Sequence, residues 1–331
     1  MNILILSAGT RNKVVQAFKE ALAGKGCVVA TDCSSVAPAL YDADKAYVVP
    51  EITAAGYLDR IIEICREEEI DGVLSLIDPE LSLIAKERAR FEQIGVTPVV
   101  SSYELCEASL DKYDMYEMLL KLGIPTAMSF LKIELFKKAM EENRLHYPVF
   151  VKPRKGSASL NINKVSSDEE LNTLFHVYDD LMIQEYMDGQ EYGADAYVDM
   201  ISGKCTQIFL KKKIKMRAGE TDKSVSVKND DAFRLIAQMA ESAGYRGMID
   251  LDLFEKNGTW YLSEVNPRFG GGYPHAHASG VNLVESVLRN LRGETNPVSI
   301  GEYKEGIYMM KYNEICIRKE ADLIHANRTV E

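Results

Sequence analysis

Residues 247–274, GMIDLDLFEKNGTWYLSEVNPRFGGGYP, constrain the fold more than any other stretch of this chain. Two strand-like runs, 248–254 and 259–265, flank the turn signal Asn257-Gly258. In the first run Ile249, Leu251 and Leu253 alternate with Asp250 and Asp252, so a strand here has one apolar and one acidic face. The second run brings Glu264 and Asn266 to its end, where Pro267 stops it and Arg268 follows. Carboxylates, an amide and a guanidinium at one end of a hairpin have the chemistry of a hard-metal and phosphate site. The plainer alternative is an ordinary hairpin with a solvated acidic face.

Turn length decides between these readings. A two-residue Asn-Gly loop pairs Lys256 with Thr259, sets Asp252 opposite Ser263 and turns Glu264 to the other face. A three-residue loop, Lys256-Asn257-Gly258 with Gly258 left-handed, pairs Glu255 with Thr259 instead. Asp252 then lies opposite Leu262 and diagonal to Glu264, and Asn266 follows on the same face. Leu251, Leu253, Tyr261 and Val265 gather on the apolar face. The longer loop is therefore the expectation, with Asp250 on the acidic face but further from the cluster.

The rest of the chain must supply phosphate-binding cations against an acidic background. Its net charge of −11 argues against nucleic acid or an anionic membrane as the main partner, so a phosphate site must be locally basic. The length of 331 residues suggests two or three domains, and 46% hydrophobic with 27% charged residues describes a globular protein. Six scattered cysteines without a CxxC pair point to a reducing cytoplasm rather than to disulfides or zinc. No apolar run is long enough to span a bilayer, and Met1 leads straight into a strand with no basic leader.

Residues 1–100 alternate strand (2–7, 28–31, 72–77, 97–100) and helix (14–23, 58–69, 80–93), which implies a small parallel sheet covered on both faces. Ligands in such sheets bind beyond the carboxyl ends of the strands. The candidates there are Ser7-Ala8-Gly9-Thr10-Arg11, Asp32 and Asp78-Pro79-Glu80. The first loop is not GxGxxG, and Asp78 reads better as a helix cap than as a ligand.

Residues 101–150 read as helical, with Ser101, Ser102 and Ser109 as cap candidates and a helix opening at Asp111 and closing at Gly123. Lys112 on that helix says nothing alone. A short apolar strand then carries Lys152 before Pro153 and runs into a basic, small-residue loop, 154–162. Such a loop can fold backbone N–H groups over phosphates, or it can be a plain hairpin. The strand 182–187 can offer backbone groups to an adenine edge, and Glu191 can accept from ribose hydroxyls. The run Lys211-Lys212-Lys213-Ile214-Lys215-Met216-Arg217 is strongly basic within an acidic chain. A helix over 282–291 and a final strand over 307–317 close the pattern. His275 and His277 could contact substrate but read better as an exposed helix start.

The ordered set Lys112, Val151-Lys152-Pro153, a small-residue loop, Gln184-Glu185-Tyr186-Met187 with Glu191, then Asp252, Glu264 and Asn266 resembles the ATP-grasp superfamily. With Asn266-Pro267-Arg268 after the glutamate, it is similar to the synthetase domains of the carbamoyl-phosphate synthase large subunit, and more distantly to D-alanine–D-alanine ligase. The resemblance implies a mixed α/β and α+β fold. A small parallel-sheet pre-ATP-grasp domain (1–100) would precede a two-lobed ATP-grasp fold, its small lobe with the phosphate lid at 101–183 and its C-terminal lobe with the metal site at 184–331.

It also implies roles. Lys112 and Lys152 would hold ATP phosphates under a lid that includes Gly156 and Ser157. Gln184, Glu185, Tyr186 and Met187 would form the adenine hinge, and Glu191 would bind ribose. Asp252, Glu264 and Asn266 would hold two Mg²⁺, with Mn²⁺ as a substitute. Arg268 would stabilise the transferred phosphoryl group, with Lys215 or Arg217 reaching phosphate or substrate. The lid departs from the family in having Ala158, Ser159 and Asn161 where relatives carry more glycine. The implied activity is an ATP-dependent ligase forming a carbon–nitrogen bond through an acyl-phosphate. Its substrates would be a small carboxylate, such as an amino acid, and an amine or ammonia; carbamoyl phosphate is not expected as the product. A silent ATP-binding regulatory subunit and a phosphotransferase without ligation stay open, as does a homodimer.

Overall fold

The first strand already states how the first hundred residues must pack. Ile3 and Ile5 point to one side of it and Leu4 and Leu6 to the other, and all four are 0–1% exposed. A strand buried on both faces needs cover on both. The helix Asn12–Leu22 packs Val14, Val15 and Phe18 with Ile3 and Ile5, while Tyr57–Glu67 packs Ile61 and Ile62 with Leu4 and Leu6. In this computed structural model, which describes residues 1–156, 163–217 and 219–324, the sheet is parallel. Its order is Lys45–Val48, Cys27–Asp32, Asn2–Leu6, Gly72–Ser75, Thr97–Pro98. The strand Lys45–Val48 was not expected. The single helix expected over 80–93 is two, Asp78–Lys86 and Arg88–Glu92.

Two antiparallel sheets follow. The smaller has the order Ser129–Phe130, Leu181–Glu185, Val149–Pro153, Asn163–Val165. The larger runs Thr259–Asn266, Gly247–Lys256, Gln190–Val198, Cys205–Arg217, Glu220–Val227, Tyr308–Met310. The stretch 101–150 is therefore not helical throughout, and the boundary expected at 183 falls inside a strand of the smaller sheet. The final strand is only Tyr308–Met310, with a last bond from the Lys311 N–H to the Asp222 carbonyl (2.9 Å) beyond it. Ser102 and Asp111 cap the helices Tyr103–Leu110 and Lys112–Lys121. Among the described residues no helix is long and apolar enough to cross a membrane, and the six cysteines are free.

Candidate active site at the end of the hairpin

The hairpin turn corrects the expected register. Lys256 pairs with Thr259 across a two-residue loop, with Asn257 (φ 55°) and Gly258 (φ 79°) both left-handed. That is the short loop an Asn-Gly pair favours, because its twist matches the strands. Asp252 nevertheless faces Glu264. The register slips by one between Leu253–Leu262 and Asp252–Glu264, so Ser263 is an extra residue, a β-bulge. Leu262 and Val265 are three residues apart, yet both are 0% exposed beside Leu253 and Leu251. The bulge lets both reach the apolar face and leaves Glu264 opposite Asp252 on the other. Tyr261, expected on the apolar face, pairs with Phe254 instead. Asp250, expected further from the cluster, lies opposite Asn266, with its Oδ2 3.5 Å from Arg268 Nη1.

Cations from two sheets surround this acidic face. Lys213, whose side chain is 4% exposed, donates to Asp252 Oδ1 (2.6 Å) and to Glu191 Oε1 (2.7 Å). Lys152 is buried in the smaller sheet and donates to Gln184 Oε1 (2.7 Å), while Gln184 Nε2 donates to Ser129 Oγ (3.1 Å). Burial pulls the Lys152 amine down to about 8, against the opposing field of Glu264. Burial first and the Asp252 charge second push the Glu264 carboxyl up, with Lys152 and Lys112 pulling it back. These mutual fields tie Lys112, Lys152, Asp252 and Glu264 into one site although they come from four elements.

The remaining sequence candidates fall into place unevenly. Lys112 opens its helix and donates to the Gly156 carbonyl. Arg154 is held by Asp111 and Asp114, which anchors the root of the 154–162 loop. Ser157, Ala158, Ser159 and Asn161 lie outside the described residues. The Glu185 N–H is already given to the Met128 carbonyl (2.8 Å), and of the four hinge candidates Tyr186 and Met187 lie beyond the end of the strand. Lys215 and Arg217 are exposed further along the strand that carries Lys211 and Lys213; those two are the lysines of the basic run turned inward. His275 is not an exposed helix start: it is 2% exposed, with Nδ1 2.8 Å from Ser224 Oγ and Nε2 2.8 Å from the Ile307 carbonyl. His277 is half-buried against Tyr273.

Three features escaped the sequence reading. Asp78 does not cap its helix, for which Ile77 is the N-cap residue; its carboxylate holds Arg268, with Nε 2.9 Å from Oδ1 and Nη2 3.0 Å from Oδ2. Lys211 forms a buried ion pair with Asp195, which lies opposite Asp250 in the sheet. The glycine run seats directly on these charges. A methyl group at Gly270 would lie 2.2 Å from Asp250 Oδ1, and one at Gly272 would lie 2.9 Å from Lys211 Nζ. The Gly270-Gly271-Gly272 run was the available signal, since three successive glycines after a strand mark close backbone approach.

The donor set suits a hard cation. Asp252, Glu264 and Asn266 offer oxygen only, and a divalent ion of the magnesium type takes oxygen and retains outside ligands. Among the described residues no group of three or more His, Cys, Asp or Glu converges as a metal site. A cation here would therefore draw further oxygens from a bound phosphate or from water.

Comparison with known proteins agrees with this geometry. The family model described as PylC-like, N-terminal domain matches residues 3–99, and the one described as ATP-grasp in the biosynthetic pathway with Ter operon matches residues 177–315. The arginine-specific carbamoyl phosphate synthase large chain of Bacillus subtilis is 21% identical over 269 residues, 76% of this chain and 25% of that protein. The vancomycin B-type resistance protein VanB of Enterococcus faecalis is 30% identical over 220 residues, 58% of this chain and 64% of its own. The chain thus spans about a quarter of the carbamoyl phosphate synthase chains it matches. Among solved structures, the biotin carboxylase domain of Hydrogenobacter thermophilus 2-oxoglutarate carboxylase, in complex with MgADP, ADP and bicarbonate, has a TM-score of 0.74 at 18% identity. That match covers 92% of this chain and 73% of the other. N5-carboxyaminoimidazole synthetase from Staphylococcus aureus, complexed with ADP, has a TM-score of 0.71 at 17% identity, covering 89% and 78%. At these identities the structural likeness establishes the fold, and the family matches establish the kinship. By these matches the chain carries a PylC-like N-terminal domain over residues 3–99 and an ATP-grasp domain over residues 177–315.

Proposed function

We propose that this protein is an ATP-dependent carboxylate–amine ligase. The observation that carries the reading is the Ser263 bulge, which sets Asp252 and Glu264 face to face, in the mutual field of Lys152 and Lys112. The relatives named above supply the reaction class. In the first step a carboxylate oxygen of the acid attacks the γ-phosphorus of ATP and ADP leaves. The amine then attacks the acyl carbon, loses a proton, and phosphate leaves. Lys112 and Lys152 hold phosphates, Tyr186 and Met187 with Gln184 and Glu185 frame the adenine, and Glu191 takes the ribose. Asp252, Glu264 and Asn266 would hold two Mg²⁺, or Mn²⁺ in their place, which would neutralise triphosphate charge. Lys213, held by both Asp252 and Glu191, would be placed to reach a phosphate oxygen if Asp252 turned to a metal. Arg268 faces the charge that develops on the transferred group. Lys215 or Arg217 meets the substrate at the rim, and Gly156 and Ser157 belong to the covering loop that excludes water. The acid is an amino acid or another small carboxylate, and the six free cysteines suit a cytoplasmic setting.

The test is a matrix of small acids against amines, with ADP and phosphate both measured in the presence of Mg²⁺. A ligase yields ADP that depends on both substrates. ADP formed with the acid alone, together with a stable phosphorylated product, would indicate a phosphotransferase. MgATP binding without ADP under any pair would indicate a regulatory subunit.

A further inference from the structure

The first domain reaches into the grasp site through Asp78. Asp78 stands at the carboxyl end of the parallel sheet, just after the strand Gly72–Ser75, on the first turn of the helix that follows. Its partner Arg268 lies 190 residues away and follows the strand that carries Glu264 and Asn266. Both side chains are 11% exposed, so the contact is largely shielded from water. The guanidinium donates one hydrogen bond from Nη2 to Oδ2 (3.0 Å), and its Nε lies 2.9 Å from Oδ1 as an ion-pair contact, so the carboxylate holds the group on one side.

Without that hold, Arg268 has other anions to choose from. Asp250 Oδ2 is 3.5 Å from Nη1, and the charge of Glu264 also acts on the guanidinium. A free arginine beside uncompensated carboxylates would swing onto them and occupy the face that a metal and a triphosphate need. Asp78 opposes this by outcompeting them with better geometry. The contact is also specific in direction. Pro79 stiffens the start of the helix, and the Gly270–Gly272 run presses against Asp250 and Lys211, which limits how far the Arg268 loop can shift.

We infer that Asp78 is a positioning residue for phosphoryl transfer, holding Arg268 off the metal carboxylates and aimed at the transferring group. The inference rests on the ligase reading above. It makes the first domain part of the phosphoryl-transfer machinery rather than only a platform for substrate.

The experiment uses the full chain and two probes, MgADP alone and MgADP with aluminium fluoride, a mimic of the transferring phosphoryl group. Wild type should bind the fluoride-containing probe at least about a hundredfold more tightly than MgADP, as transition-state mimics do. Asp78→Asn keeps the shape and removes the charge. It should leave MgADP affinity within about threefold while losing about tenfold or more of the fluoride-dependent gain, the scale of one charge-assisted hydrogen bond. Arg268→Lys should lose a similar share, and the double variant little more, because the two residues act as a unit. If Asp78→Asn does not fold, Asp78→Glu decides: it keeps the ion pair but displaces the guanidinium, and should lose part of the same gain. A full fluoride-dependent gain in either Asp78 variant overturns the inference. So does a parallel loss with both probes, which would mark Asp78 as a purely structural contact. Absence of the gain in wild type overturns the phosphoryl-transfer reading itself, and the inference with it.

Discussion

The two walls of the cleft hold their cations differently. In the smaller sheet Lys152 donates to the Gln184 amide oxygen, and beside it Lys112 donates to the Gly156 carbonyl, both neutral acceptors. In the larger sheet and its continuation Lys211, Lys213 and Arg268 each hold carboxylates: Asp195, then Asp252 with Glu191, then Asp78. A buried cation on a neutral acceptor has lost its hydration and gained only a dipole, so an incoming anion is worth more to it than to an exposed lysine. A cation already on a carboxylate holds geometry and has less to gain. On the proposed ligase reading, the smaller sheet would receive the phosphates and the larger sheet would hold the groups that act on them.

The strongest way to break this contrast is on the acidic wall. Glu264→Gln keeps the size and removes one of the two carboxylates proposed to face a metal. ADP formation should fall by about two orders of magnitude or more, the scale of losing a charge-stabilising group in a reaction site. Binding of the adenine end, read with MgADP calorimetry, should weaken far less, because Tyr186 and Met187 follow a strand of the other sheet. A variant that retained turnover would show that Glu264 is not a metal ligand.

On the receiving wall the effect is smaller and falls on affinity. Lys152→Met keeps the stem and removes the charge, and ATP affinity should drop about ten- to a hundredfold. The melting midpoint should stay or rise, since a buried amine pulled down to about 8 is held against its own hydration. Loss of stability without loss of ATP affinity would place Lys152 in the structure only.

The same residue gives two opposed pH slopes. Phosphate needs the protonated amine, so ATP affinity should fall by up to about tenfold per pH unit above about 8. Stability should move the other way. The unfolded chain holds this proton more tightly than the folded one, so unfolding free energy gains from pH 8 up to the usual lysine range, about 10.4. Lys152→Met should flatten both slopes. Slopes that persist in the variant would belong to another group.

Local pattern revealed much of this arrangement and long-range pairing hid the rest. The alternation of Ile249, Leu251 and Leu253 with Asp250 and Asp252 identified the acidic face, and the buried first strand implied a parallel sheet covered on both sides. Lys152, Gln184 and Glu264 were legible as an ordered set through family resemblance, since none of them is distinctive alone. Asp78 was not legible, because its partner lies 190 residues on and a helix start explains an aspartate equally well. Lys213 was not singled out in the basic run; it is turned inward while Lys215, past a register shift, is exposed. The burial of His275 depends on Ser224 and Ile307, which only the sheet brings together.

The hairpin offers the test with the smallest expected effect. Asp252 and Glu264 can share a face through a three-residue turn with regular strands, or through a two-residue turn with an extra residue, and the structure has the second. Deleting Ser263 separates them. With the two-residue turn, deletion removes the bulge and leaves Leu253 opposite Leu262, Asp252 opposite Glu264 and Leu251 opposite Val265, all as before. Metal-dependent ATP binding should then stay within about tenfold, and stability should shift modestly as the local twist relaxes. With a three-residue turn, the same deletion would move Glu264 to the apolar face and bury a carboxylate without a partner, which proteins tolerate poorly. The deletion variant therefore reports on register through its survival: calorimetry showing Mg²⁺-dependent ATP binding confirms the bulge, and an unfolded or metal-blind variant rejects it.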